Sequence, residues 1–249
     1  MTIHKKELLA RIGAVSSAVA LVLAGSWYTV RHMEESTSLV NSSASNGQMI
    51  ILDAGHGGMD GGCTSANGDV EKNINLAILL DLRDMLQASG YNVLTTRDTD
   101  RSIHDEGVEG IANQTSSDMD NRLELFNSIQ GAICISIHQN QFTDPQYSGA
   151  QMFYSDTNSK NAALAQMLQN QFVSFLQPDN QRETKLCGKE LFLCYYSKNP
   201  TVMAECGFLS NPEEASLLIT EEYQQKVAFT IYSALIQYCA ESSYYLVET

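Results

Sequence analysis

Two kinds of apolar pattern alternate along the chain: short unbroken runs, and longer stretches in which every third or fourth position is apolar. Met49-Ile50-Ile51-Leu52, closed by Asp53, is of the first kind and predicts a buried strand. The segment behind it, from Gly55 to Gly62, is so rich in glycine that it reads as a loop. From Asn73 to Ser89 the residues Ile74, Ile78, Leu82, Met85 and Leu86 make a helical stripe, which Gly90 ends. Tyr91–Thr95 predicts a short strand. Asp118–Ile129 returns to helical spacing with Met119, Leu123 and Phe126, and Ala132–Ile137 and Ala150–Tyr154 read as strands. Ser159–Leu176 carries Leu164, Leu168, Phe172 and Phe175 on one side of a helix. Glu190–Cys194 and Thr201–Glu205 predict two more strands. Asn211 caps a helix begun by Pro212, with Glu213 and Glu214 in the first turn where the helix dipole favours acids. A last helix over Glu221–Ala240 shows Tyr223, Val227, Ile231, Leu235 and Tyr238 on one stripe.

Strand and helix in alternation predict an α/β fold: a single domain built on a twisted, mostly parallel (mixed) sheet with helices on both faces. No internal repeat interrupts it. The polar stretch Arg97–Ser117, rich in Asp, Gly, Ser and Asn, is too long for an ordinary connection. It predicts either a surface excursion near the functional site or a tolerated insertion.

Composition adds a compartment. Lys5, Lys6 and Arg11 precede Ile12–Val30, nineteen residues without a charge, so residues 1–31 read as a signal or membrane-anchor segment with its basic end in the cytoplasm. Residues 32–47 are Ser-rich and aperiodic, a tether. The segment 48–249 is then the folded domain, placed outside the cytoplasm, membrane-anchored or secreted. The whole chain of 249 residues carries a net charge of −14, and the basic leader makes the remainder more acidic still. That excludes nucleic acid as a partner, and any anionic polymer must be held by a specific site.

Candidate chemistry sits where strands end, the place at which open α/β sheets bind ligands. His56 follows the first strand and His138 follows Ala132–Ile137, while Glu71 stands at the entrance to the first helix. Two histidines and one carboxylate are the ligand set of a catalytic zinc, which keeps a fourth position for water. Their spacing matches no local finger motif, so only the fold can bring them together. The alternative for His56 is a hydrogen-bonded histidine in a turn. The strand Thr201–Glu205 delivers a second carboxylate, Glu205, to the same rim, suited to act as general base and then general acid.

Taken together, Asp53-Ala54-Gly55-His56-Gly57-Gly58, Glu71-Lys72 opening a helix, Ser136-Ile137-His138-Gln139-Asn140 and Glu205-Cys206-Gly207-Phe208-Leu209-Ser210-Asn211 resemble the zinc-dependent N-acetylmuramoyl-L-alanine amidases of the amidase 3 type. The resemblance runs from Met49 to Tyr238. It implies that His56, Glu71 and His138 hold one Zn²⁺ at the carboxyl ends of the strands, that Glu205 is the catalytic glutamate, and that Asn140 helps hold substrate or the site loop. Within that family the chain is similar to the sporulation-specific spore-cortex enzymes, through its N-terminal membrane segment, a catalytic domain without wall-binding repeats, Thr96-Arg97-Asp98-Thr99-Asp100 and Pro200. Peptidoglycan is the implied substrate, muramic-δ-lactam formation the implied pathway, and a lipoprotein the implied activating partner. A general wall amidase of cell separation or turnover, and a non-catalytic peptidoglycan-binding homologue, are the alternative readings.

The six cysteines divide. Cys134 and Cys239 fall in apolar segments and read as small buried hydrophobes. Cys63, Cys187, Cys194 and Cys206 could include a disulfide in an oxidising compartment. Cys63 as a fourth metal ligand and Cys206 as a nucleophile are the remaining alternatives. His4, His32 and His104 read as solvent-exposed.

Overall fold

The computed structural model describes the backbone of residues 47–247 and the side chains of residues 47–241. The segment 1–31 and all but the last residue of the tether 32–47 lie outside the described residues. Among the described residues no helix is long and apolar enough to cross a membrane.

The elements follow in the order β1 (Met49–Ala54), α1 (Glu71–Ala88), β2 (Asn92–Thr95), α2 (Ile111–Asn127), β3 (Ile133–Asn140), β4 (Gln151–Tyr154), α3 (Asn161–Gln171), β5 (Lys185–Leu186), α4 (Phe192–Tyr196), β6 (Thr201–Phe208), α5 (Pro212–Leu218) and α6 (Glu221–Val247). The strands form one sheet in the order β2-β1-β3-β6-β4-β5. Its first four strands are parallel, β4 runs antiparallel to β6, and β5 is parallel to β4. The sheet is therefore mixed, with four parallel strands running from the β2 edge to β6 and the direction reversing at β4.

Alternation along the strands splits the interior into two layers. Ile50, Leu52 and Ala54, Ile133, Ile135 and Ile137, and Val202, Ala204 and Cys206 face one way, against Ile78, Leu82 and Leu86 of α1, Leu164 and Leu168 of α3, and Val227, Ile231 and Leu235 of α6. The opposite face is thinner: Ile51 and Cys134 pack with Phe126 of α2 and Leu193 of α4. Asp53, Ser136, His138, Met203 and Glu205 share the parity of this second face. The register sets Asp53 beside Ser136 and Ser136 beside Met203, and one rung pair further along sets His138 beside Glu205.

Several boundaries differ from the pattern reading, among them the end of β6, which runs on from Glu205 to Phe208. Helix α1 begins at Glu71, and strand β3 continues through His138-Gln139-Asn140. Residues 111–117 are the opening turns of α2 rather than part of a polar excursion. Ile111 is 72% exposed, and the buried positions of α2 are Asp118, Arg122 and Phe126, so the inward stripe is largely charged and escapes a search for apolar periodicity. Glu190–Cys194 is not a strand: Phe192–Tyr196 is a short helix, and Lys185–Leu186 takes the sheet edge instead. A four-residue apolar run fits either form, and here the backbone settles on one helical turn. Asn211 caps α5 as expected, its side chain accepting hydrogen bonds from Glu213 N and Glu214 N.

Candidate active site

The glycine-rich turn after β1 places His56 by force. His56 has φ +65°, a left-handed conformation that costs a residue with a Cβ about 1–2 kcal/mol. Two buried guanidinium groups hold the backbone there. Arg97 donates to the carbonyls of Ala54 (2.9 Å) and Gly55 (3.0 Å), and Arg122 to those of Ala54 (2.9 Å) and His56 (2.7 Å), so three consecutive carbonyls are gripped. Arg122 is in turn neutralised by Asp53, with which it forms an ion pair, and by Asp118 at 2.6 Å. Asp53 also accepts hydrogen bonds from Thr96 and Ser136. Burial opposes ionisation of Asp53, but Arg122 and these hydroxyls outweigh it and hold its carboxyl below the usual range. Arg97, the first residue of the polar excursion, is thus an internal strut. Asp100 further on bonds the Gly58 amide and pairs with Lys72 at 2.7 Å, so this stretch is built into the site's support rather than added to it.

With the loop fixed, the side chains converge. His56 Nε2 lies 3.2 Å from Glu71 Oε2, and His138 Nδ1 lies 3.1 Å from Glu71 Oε1. One donor atom from each of the three residues falls within 4.8 Å of the others. The remaining His56 nitrogen, Nδ1, is 2.7 Å from Asp60 Oδ2, the outer carboxylate that orients a ligating imidazole. Two glycines permit the approach. A Cβ on Gly55 would lie 2.2 Å from the His138 ring, and one on Gly62 would lie 2.4 Å from Glu71 Oε2.

Glu71 is almost fully buried and is aimed by neighbours the sequence alone did not mark. Oε1 accepts from the Gln139 amide (3.0 Å) and Asn75 Nδ2 (3.1 Å), and Oε2 accepts from the Cys63 amide (2.8 Å). Burial works against its charge, yet the hydrogen bonds and charges of His138 and His56 prevail and hold it well below the ordinary carboxylate range. Burial likewise lowers the His56 pKa, but hydrogen bonding and charge from Glu71 and Asp60 outweigh it and raise the ring to about 9. Asn75, four residues after Glu71, is on the same helical face, which is the one sequence signal that could have found it.

Glu205 stands beside His138 in the sheet. Its Oε2 is buried without a hydrogen-bond partner, and burial raises its pKa to about 7 against the pull of His138. Asn140 ends β3, where its carbonyl accepts the Leu209 amide at 2.8 Å. A cavity of about 200 Å³ opens on His56 and His138 and is walled by Met59, Met119, Leu191 and Phe192. Two nitrogens, one carboxylate oxygen and an unpartnered buried carboxylate alongside are a donor set that fits zinc and its water.

The other candidates fall elsewhere. All six cysteines are thiols. Cys63 is turned to the Gln139 carbonyl (3.5 Å) and is not among the residues whose donor atoms converge; burial and Glu71 push its thiol pKa up. Cys206 is fully buried, on the face of β6 opposite Glu205. His104 is half-buried, with Nδ1 2.8 Å from Ser102 Oγ, rather than solvent-exposed. His4 and His32 lie outside the described residues.

Comparison with known proteins agrees with this geometry. The model of the N-acetylmuramoyl-L-alanine amidase family matches residues 50–237. The germination-specific N-acetylmuramoyl-L-alanine amidase of Bacillus subtilis is 35% identical over 196 residues, covering 79% of this chain and 81% of that protein. AmiA, an N-acetylmuramoyl-L-alanine amidase of Escherichia coli, is 25% identical over 77% of this chain and 76% of its own. The CwlD amidase of Clostridioides difficile, solved in complex with the GerS lipoprotein, superimposes with a TM-score of 0.74 at 35% identity, covering 78% of this chain and 98% of that one. A His-Glu-His group able to hold a metal ion on the rim of a mixed α/β sheet and a family match across nearly the whole folded domain have one reading: the chain belongs to the N-acetylmuramoyl-L-alanine amidase family.

Proposed function

We propose that the protein is a zinc-dependent N-acetylmuramoyl-L-alanine amidase of the spore cortex, cutting the amide between the lactyl group of N-acetylmuramic acid and L-alanine so that muramic-δ-lactam can form. The observation that carries the chemistry is the convergence of His56, Glu71 and His138 within 4.8 Å next to the buried, unpartnered Glu205 Oε2. His56, Glu71 and His138 would hold the ion, with Asp60 fixing the His56 ring from behind. When bound, zinc supplies Lewis acidity, which makes water a nucleophile at neutral pH. Glu205 takes the proton of the attacking water at its free Oε2 and delivers it to the alanine nitrogen, since an amide nitrogen leaves only when protonated. Asn140, at the end of β3, positions the substrate or the loop that borders it. The unsatisfied acceptor on Glu205 favours catalysis over a non-catalytic binding role, because a buried orphan oxygen costs about 1–3 kcal/mol and a carboxylate kept only for structure would be paired.

The germination-specific relative and the CwlD likeness support the cortex role over general wall turnover. The GerS complex of that neighbour supports a lipoprotein partner here, and the uncharged run Ile12–Val30 supports membrane attachment of this chain. The deciding experiment is mass spectrometry of peptidoglycan incubated with residues 48–249, with zinc and with a chelator. Zinc-dependent release of peptides bearing a free L-alanine amino group is the expected result. Cleavage at another bond would overturn the assignment, and cortex muropeptides from a deletion strain that still contain δ-lactam would overturn the cortex role.

A further inference from the structure

Cys187 and Cys194 take no part in the proposed chemistry, yet the fold brings them together. Cys187 directly follows β5, and its amide donates to Tyr154 O at 2.8 Å. Cys194 lies in α4, and its Sγ is 3.8 Å from the carbonyl of Phe153, the preceding residue of β4. Both are thus tied to consecutive residues of one strand. Strand parity sets Cys187 on the same sheet face as Lys185, whose register partner is Phe153; Phe153 is itself paired with Met203. Cys187, Cys194 and Met203 accordingly form a small buried cluster of their own, in which the two thiols are neighbours. The other four cysteines are dispersed: Cys63 sits under Glu71, Cys134 beneath α2, and Cys206 and Cys239 in the large apolar layer.

We infer that Cys187 and Cys194 are a disulfide-forming pair that closes when the protein meets a small-molecule or protein disulfide outside the cytoplasm. The family's action on peptidoglycan puts the domain in that compartment. Cys187 reacts first. It is the more accessible of the two, flanked by the exposed Lys185, Leu186, Lys189 and Glu190, whereas Cys194 is fully buried. Proximity to Cys194 also holds the Cys187 thiol below its ordinary pKa, while Cys187 and burial raise that of Cys194, the asymmetry of an attacking and a resolving thiol. The Cys187 thiolate attacks one sulfur of the oxidant and releases one thiol. Cys194 then loses its proton, attacks the Cys187 sulfur of the mixed disulfide and releases the second. Two protein thiols become one disulfide, and one oxidant disulfide becomes two thiols.

The ring so closed, residues 187–194, contains Glu190, Leu191, Phe192 and Leu193, all of which line the cavity that opens on His56 and His138. The cross-link fixes one wall of that cavity to the edge of the sheet.

The test uses the chain's own trypsin sites. Cleavage after Lys185, Lys189 and Lys198 puts the two cysteines on separate peptides, 186–189 and 190–198. The full chain in detergent is incubated with oxidised glutathione, blocked with an alkylating agent and digested without reductant. The expected product is the 186–189/190–198 pair joined by a disulfide and separated by dithiothreitol, with Cys63, Cys134, Cys206 and Cys239 alkylated after denaturation. Independent alkylation of Cys187 and Cys194, or Cys187 ending as a stable glutathione adduct, overturns the pair. A second reading tests the wall: native trypsin should cut after Lys189 about tenfold more slowly in the oxidised chain, because cleavage needs local opening. Equal rates in wild type and in a Cys187→Ser/Cys194→Ser variant would show that the link does not fix the wall.

Discussion

The two faces of the sheet are built on opposite principles. Beneath it, α1, α3 and α6 press aliphatic side chains onto β1, β3 and β6, and the interior is oil. Above it, the space between the sheet and α2 is occupied by Asp53, Arg122 and Asp118, with Arg97 alongside. The first arrangement is non-directional and tolerates exchange among residues of similar volume. The second is directional: each guanidinium nitrogen has an addressed acceptor, and the carbonyls of Ala54, Gly55 and His56 are among them. The lower face supplies stability, and the upper face supplies coordinates.

Four measurements test that division. The largest effect belongs to the site itself: Glu205→Gln should lower kcat on peptidoglycan by roughly 10²–10⁴-fold while zinc content by atomic absorption stays at one per chain. Retained turnover would move the proton transfer to another group. Next, Arg122→Met strands a buried carboxylate and should cost about 3–5 kcal/mol in chemical denaturation, and zinc retention against a chelator should fall with it because the His56 carbonyl loses its donor. If zinc retention were unchanged, the upper face would be only another source of stability. Leu82→Ala on the lower face should cost about 2–5 kcal/mol through its cavity, with KM and zinc affinity as in the wild type. A shift in zinc affinity there would erase the distinction between the faces. The smallest effect is titration of the upper face. Because the folded-state pKa of Asp53 lies below its unfolded value of about 3.9, its contribution is complete above that value and is lost as pH falls through the folded pKa. Acid unfolding of the metal-free protein should therefore steepen below about pH 4, and Asp53→Asn should flatten it.

The same contrast explains what the sequence disclosed. Apolar runs and stripes announced the lower face, so β1, α1, β3, β6 and α6 were legible from their hydrophobic positions. His56, His138 and Glu205 were legible because each ends such a run, and Glu71 because it opens a helix. The upper face was not. Asp118, Arg122 and Phe126 make an inward stripe that hydropathy scores as mostly solvent, so the start of α2 was merged into the polar stretch before it. Arg97 reaches the Ala54 carbonyl across 43 residues of sequence and Arg122 reaches Asp53 across 69, and nothing local marks a guanidinium that will be buried. The turn of α4 was lost to the ambiguity of a four-residue apolar run. Asn75 and Gln139, which hold Glu71, are amides, the side chains least distinguishable from surface residues until their partners are known.

The strand register carries a consequence for the order of events in the protein's life. His56 comes from the turn after β1, Glu71 from the start of α1, His138 from β3 and Glu205 from β6, and they meet only once β1, β3 and β6 have paired in parallel. Parallel pairing between distant segments is slow to form, and a slip of one residue in β3 or in β6 would turn His138 or Glu205 into the apolar layer. A partly folded chain therefore lacks the arrangement in which the proposed ion and Glu205 would work together. Catalytic competence is the last thing the chain acquires, so a hydrolase of the wall stays harmless until its folding is complete.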